Sequence, residues 1–273
     1  MKIRMIGGVV AAVVVSLGAL AHGQTPASNA IPSQETFEAR AAGESIIVPG
    51  FTNGWYGDTN SMTAVVSNFV YGVPGQNYFF STISMTNVYY PVASATHTNV
   101  LAFTDAAMTN QFATYDTSVA GTNMTVDFMI KPVLREEGAA AASLTNQVAG
   151  CQTAMYVDSN GFLNVWHGIT SLGDDNAWMT FTNAPPLGTS DWARITVAFD
   201  YTTDAGGSPY FAVMMNGSTL VPTNASGYIK YEGYFEQGAG GIWLHSANPA
   251  PKQVHSFAIS GSGMLDDFVV TTN

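Results

Sequence analysis

One cysteine in 273 residues excludes both a disulfide framework and a cysteine-rich zinc site. Charge is almost as scarce. Only 10% of residues are charged, and 8 Lys and Arg stand against 19 Asp and Glu, for a formal net charge of −11. So few cations cannot neutralise a run of phosphates, which excludes nucleic acid and an anionic membrane surface as partners. Helix-forming sequence is also nearly missing: residues 134–149 are the one helix-prone stretch, and Gly138 interrupts them. Beyond the N-terminus, no segment reaches the roughly 18 unbroken apolar residues that span a bilayer. Apolar residues are what the chain has in quantity, at 47% hydrophobic and 12% aromatic. That supply fills a substantial core and excludes disorder for most of the chain.

The N-terminus reads as an address. Lys2 and Arg4 precede an apolar run from Met5 to Leu20, and Ala19-Leu20-Ala21 forms an A-x-A cleavage site. This order is that of a secretory signal peptide at residues 1–21, and no cysteine follows that would carry a lipid anchor. Removing Lys2 and Arg4 leaves 6 basic against 19 acidic residues, so the mature charge is near −13. Cys151 is then an unpaired thiol, expected to be buried. The expected location is outside the cytoplasm: secreted, periplasmic or at the cell surface, with no transmembrane segment after signal cleavage. Residues 22–34, small and polar with two prolines, are expected to form a flexible leader, and residues 35–273 a single domain.

Within that domain, short apolar runs alternate with turn residues. Thr-Asn occurs ten times, mostly between such runs; Thr suits strands, and Asn suits turns and left-handed positions. Met124, Val126, Phe128 and Ile130 recur with period two, as do Ile195, Val197 and Phe199 with Arg194, Thr196, Ala198 and Asp200 opposite. Asp158-Ser159-Asn160-Gly161 and Asn216-Gly217 each separate two strand-like runs, which is a hairpin signal. Residues 242–245, 254–259 and 265–271 complete about a dozen short strands. This spacing predicts an antiparallel sandwich.

The series Val126-Asp127-Phe128-Met129-Ile130-Lys131-Pro132, then residues 156–166, Trp192 to Tyr201, the strand 211–216 and residues 261–270, occurs in a recognisable order. With Thr36-Phe37-Glu38 and Gly54-Trp55 before it, the series resembles the laminin-G-like, concanavalin A-like lectin-glucanase domains of exported bacterial proteins. The resemblance covers residues 35–273. It implies an all-β, two-sheet antiparallel jelly-roll sandwich, one concave face of which often binds glycans or proteins. Fold alone does not settle function, because members have diverse partners.

Catalytic constellations are hard to find. A retaining glycosidase needs carboxyl groups about 5–5.5 Å apart, as the E-x-D-x-x-E strand of laminarinase-type enzymes provides. Glu232 and Glu236 come nearest, and in a strand they stand roughly 13 Å apart. Gln253-Val254-His255 looks like the Gln-x-His strand of sandwich-fold alginate lyases, but the Arg-rich and Tyr-Lys strands those enzymes need have no good counterpart. His97, His167 and His245 lack metal-ligand spacing, and no G-x-S-x-G is present. Calcium is a candidate structural cofactor. Glu38 on the first strand and Asp266-Asp267 on the last offer hard oxygen ligands, and terminal strands of jelly rolls commonly adjoin. For glycan, rings beside amides and carboxylates are required, and Trp55, Tyr56, Asn164, Trp166 and Trp178 are the candidates.

The sequence therefore leads to the expectation of a secreted, non-catalytic jelly-roll module, not an enzyme. It would bind carbohydrate or another extracellular or envelope protein, with calcium as stabiliser. A structural or adhesive envelope protein is the alternative, followed by a polysaccharide-active enzyme with an atypical site.

Overall fold

The computed structural model describes residues 12–16, 28–58, 64–72, 96–116, 124–134, 151–167, 177–181, 184–188, 192–200, 210–216, 218–220, 237–238, 241–242, 244–245 and 253–272. The strands are β1 (Ala12–Ser16), β2 (Ser33–Glu35), β3 (Trp55–Gly57), β4 (Val65–Gly72), β5 (Thr96–Asp116), β6 (Met124–Pro132), β7 (Cys151–Val157) and β8 (Leu163–His167). They continue as β9 (Ala177–Phe181), β10 (Ala193–Asp200), β11 (Tyr210–Met215), β12 (Ser218–Thr219), β13 (Gln237–Gly238), β14 (Gly241–Ile242), β15 (Leu244–His245) and β16 (Gln253–Thr272). Of the helix-prone stretch only Leu134 is described, and it lies outside any element. Among the described residues no helix is long and apolar enough to cross a membrane.

The fold is an all-β, two-sheet antiparallel jelly-roll sandwich. One layer runs β12-β11-β10-β6 and ends on the second half of β16, which also pairs with β2. The other runs from the first half of β16 through β1, β7 and β8 to β9, with β5 on the other side of β16 carrying β3 and β4. Residues 254–259 and 265–271, expected as two strands, are thus one strand shared by both layers. Phe257 and Phe268 show that it crosses between them. Eleven extended residues span roughly 36 Å, yet these two rings sit 4.6 Å apart. Gly261, at φ 118, and a register break between Asp266 and Val269 provide the bends. Strand β5 bends beside it at Asp105, φ 47, where the backbone N–H donates to Ser262 Oγ at 2.9 Å.

Rings from both layers meet in the core. Phe128 of β6 packs edge-on against Phe257 at 5.2 Å, and Trp55 of β3 against Phe268 at 6.2 Å. The period-two pattern sends Val126, Phe128, Ile195, Val197, Met155, Val165 and Met179 into one continuous cluster. The opposite face of β6 and β10, which the alternation marks as the polar one, is also buried: Thr125, Asp127, Met129, Arg194 and Thr196 are all below 5% exposure.

The two hairpins form where Gly and Asn place them. Asp158 Oδ1 accepts from Asn160 N and Phe162 N, both at 2.9 Å, and Gly161 takes φ +85. A Cβ on Gly161 would lie 2.2 Å from the Leu187 carbonyl oxygen, so only glycine fits. Asn216, at φ 51, turns β11 into β12. At the N-terminal end, Asn29 bridges to Phe112 and β2 begins at Ser33, so the expected leader is tied to the sheet from Asn29 onward. The apolar run read as an export signal contributes β1, paired on both sides with β7 and β16.

Candidate functional site

Strands β7, β8 and β9 form consecutive antiparallel pairs, with Tyr156 opposite Asn164, Asn164 opposite Thr180 and Trp166 opposite Trp178. Because directly opposed residues share a face, the register that sends Met155, Val165 and Met179 inward puts Tyr156, Asn164, Trp166, Trp178 and Thr180 together on the other face. Trp178 is the most open ring of the three. It makes edge contacts with Tyr156, at 4.9 Å and 81°, and with Trp166, at 5.1 Å and 69°. Those neighbours are 8% and 6% exposed and so hold Trp178 in place. Beside the rings runs a polar chain. The Thr180 hydroxyl donates to Asn164 Oδ1 at 2.5 Å, and Asn164 Nδ2 donates to Asp158 Oδ2 at 3.3 Å and to the Phe162 carbonyl at 3.1 Å. Asn164 is buried and engaged on both amide atoms, so it positions its neighbours, whereas Thr180 and Asp158 retain access to solvent.

Of the five residues proposed from sequence as glycan contacts, Asn164, Trp166 and Trp178 come together here. Trp55 and Tyr56 lie elsewhere, apart from those three. Both belong to β3, and Trp55 is 1% exposed in the core. Tyr56 packs edge-on against Phe51 at 6.2 Å, and burial pushes its hydroxyl pKa up against the lowering effect of its Thr109 hydrogen bond. Tyr156, Thr180 and Asp158 escaped the sequence reading as site residues, because only the pairing of β7, β8 and β9 brings them to the face of Asn164 and Trp166. Tyr89, Tyr90, Trp243, the stretch 174–176 and the Glu232–Glu236 pair lie outside the described residues. So do the side chains of Cys151, His97, His167, His245 and His255.

Of the expected calcium ligands, Asp266 and Asp267 lie on the last strand as expected, whereas Glu38 is placed differently. Glu38 lies past β2, in a turn rather than on the strand, and its carboxylate accepts from Thr98 N at 2.7 Å, Thr98 Oγ1 at 2.6 Å and Asn99 N at 3.0 Å. Asp266 Oδ1 accepts from Asp267 N at 2.8 Å. Asp266 and Asp267 are both buried, at the bulge in β16 where Asp267 takes φ 47. Among the described residues no three His, Cys, Asp or Glu side chains form a group able to hold a metal ion.

Arg194 binds Asp127 across β6 and β10. Its Nε donates to Asp127 Oδ2 at 2.8 Å, its Nη2 donates to the same oxygen, and the Thr196 hydroxyl donates to Oδ1. Burial raises the Asp127 carboxyl pKa, and Arg194 and Thr196 offset part of that rise. The neighbouring Thr125 hydroxyl is buried with no hydrogen-bond partner among the described residues. Separately, a cleft of about 380 Å³ opens between β5, the end of β6 and the middle of β16, with Thr104 and Lys131 the polar side chains of a mostly apolar lining.

No protein-family model and no curated protein matches the chain. Solved structures of similar fold include an endo-1,3-β-glucanase from Streptomyces sioyaensis, at 13% identity and TM-score 0.40 over 94% of this chain and 99% of that one. Alginate lyase Aly36B, as a variant bound to an alginate trisaccharide, gives 10% identity and TM-score 0.43 over 89% and 99%. A pentraxin from Limulus polyphemus gives 19% identity and TM-score 0.30 over 59% of this chain, which spans 65% of the pentraxin. The expectation that the chain is not an enzyme is corrected here. The similar structures include a glucanase and a lyase, and a fold by itself decides neither for nor against catalysis.

Proposed function

We infer that this is an exported carbohydrate-associated protein that engages saccharide on the outer face of β7, β8 and β9. The observation that carries the reading is the Trp178 ring, fixed by Tyr156 and Trp166 beside Thr180 and Asp158. A sugar presents an apolar C–H face ringed by hydroxyls, so its recognition needs an aromatic plane next to hydrogen-bonding groups. An aromatic side chain held by its neighbours gives up little conformational freedom on binding. The Thr180 oxygen and Asp158 Oδ2 are acceptors for sugar hydroxyls, while Asn164 holds the two in register. The laminin-G-like order of strands and the A-x-A-terminated apolar run support the family reading and the export reading. The direct test is a panel of neutral and uronate oligosaccharides, read by tryptophan fluorescence and by product analysis. Trp178→Ala is expected to abolish binding in a chain that stays folded. Binding unaffected by Trp178→Ala, Thr180→Val and Asp158→Asn would overturn the site.

A further inference from the structure

Strand β1 is central, not peripheral. Ala12, Val13 and Val14 stand level with Tyr156, Met155 and Ala154 of β7 on one side, and with Ser260, Ile259 and Ala258 of β16 on the other. Both pairings are antiparallel, so β7 and β16 run parallel to each other, two strand spacings or about 9.6 Å apart. They cannot hydrogen-bond directly unless one flank of the layer moves by a full strand width. The segment that fills this gap is part of the apolar run bounded by the A-x-A site. Its removal would leave two facing rows of unpaired backbone groups in the middle of a layer, a costly arrangement.

We propose that the gap between β7 and β16 is a strand-acceptor site that, once residues 1–21 are removed, takes an extended, uncharged, β-branched strand from another polypeptide. Ala12–Ser16, sequence AVVVS, shows the chemistry that fits: no charge, no proline, and three β-branched residues. A second copy of the chain is a poor donor, because two molecules each near −13 repel one another. A further feature bears on the donor's sequence. Thr153 stands level with Val15, and its hydroxyl is buried without a hydrogen-bond partner among the described residues. Val15 has no polar group to offer, whereas Thr or Ser at that level would. The inference is independent of the carbohydrate site and rests on the export reading only for when the gap opens.

The test uses the full chain with a protease site engineered between Ala21 and Gly23, folded first and then nicked. The N-terminal fragment is expected to stay bound. Excess fluorescein-labelled peptide of residues 9–18, given terminal lysines for solubility, should replace it one to one, and the Val14→Pro peptide should not, since proline removes a ladder N–H. A Val15→Thr peptide should bind about three- to tenfold more tightly, as one added hydrogen bond predicts. In the un-nicked chain, Val14→Pro should speed amide exchange at residues 153–156 and 258–260 by about tenfold or more. A folded nicked chain that sheds its fragment and takes up no labelled peptide overturns the proposal. Dimerisation that excludes the peptide overturns it in favour of a second copy, and equal binding of the Val15→Thr peptide overturns the assigned register.

Discussion

Arg194→Met removes the one cation that pairs with Asp127 among the described residues, and its cost follows from where the pair sits. Asp127 is 1% exposed and Arg194 4%, so water cannot take over the lost hydrogen bonds. Two outcomes compete. The carboxylate keeps its charge with Thr196 still donating to it, at about 3–5 kcal/mol for breaking a buried pair on one side. Otherwise it takes up a proton. From an ordinary carboxyl value of 3.8, protonation at pH 7 costs about 4 kcal/mol, at roughly 1.4 kcal/mol per pH unit. The cheaper route caps the loss, so urea unfolding at pH 7 should show a destabilisation of about 4 kcal/mol. At pH 5 protonation costs only about 1.6 kcal/mol, and the difference from the parent should shrink accordingly. The sign agrees with the parent protein. A carboxyl whose pKa is raised on folding contributes its stability fully below its unfolded value and loses it as pH rises through the folded value. Without Arg194 that folded value moves higher still and the loss extends over a wider range. Pairing the change with Asp127→Leu should recover much of the loss, because a matched apolar pair leaves no buried charge. A loss below about 1 kcal/mol at pH 7, or one equal at pH 5 and pH 7, would refute a buried, charge-bearing Asp127.

Trp55→Ala and Trp178→Ala should separate core from site. The first opens a cavity beside Phe268 and costs about 3–5 kcal/mol by denaturant unfolding, whereas the second mainly lowers saccharide affinity, by about tenfold or more in titration. Gly161→Ala combines a φ of +85 with a Cβ 2.2 Å from the Leu187 oxygen, and it should lose about 2–4 kcal/mol. Glu38→Gln keeps shape but weakens the hydrogen bonds accepted from Thr98 and Asn99, lowering stability by about 1 kcal/mol. That loss should be the same with and without a divalent-ion chelator, and a loss seen only without chelator would show Glu38 serving as an ion ligand.

Alternation and turn residues made the strands legible, since a period of two and an Asn-Gly or Asp-x-x-Gly punctuation follow from local sterics alone. The same logic could not show that the second face of β6 and β10 is buried, because burial on that side depends on segments distant in sequence. It failed too at β16, where Gly261 and the Asp266–Asp267 bulge look like a break between strands but act as bends within one. For the site, Trp166 and Asn164 were readable as sharing a face. The contact of Trp178 with Tyr156 needed the register of three strands, which no single stretch carries.

That dependence on register gives the site a mechanical consequence. In a strand, neighbouring residues occupy opposite faces, so a slip of one residue between β7 and β8 would exchange either Tyr156 for Met155 or Trp166 for Val165 on the outer surface. The hairpin loop at Asp158 to Gly161 prevents this slip. Asp158 fixes the turn through Oδ1 while the same carboxylate receives Asn164 Nδ2 through Oδ2. One side chain therefore sets both the register of the layer and the polar edge of the aromatic platform. Asp158→Asn can preserve an acceptor toward the turn yet must reorient toward Asn164, so it should lower saccharide affinity more than stability. Gly161→Ala, which displaces the loop itself, should lower both together. If the two variants instead gave the same ratio of lost affinity to lost stability, the carboxylate would serve the turn alone.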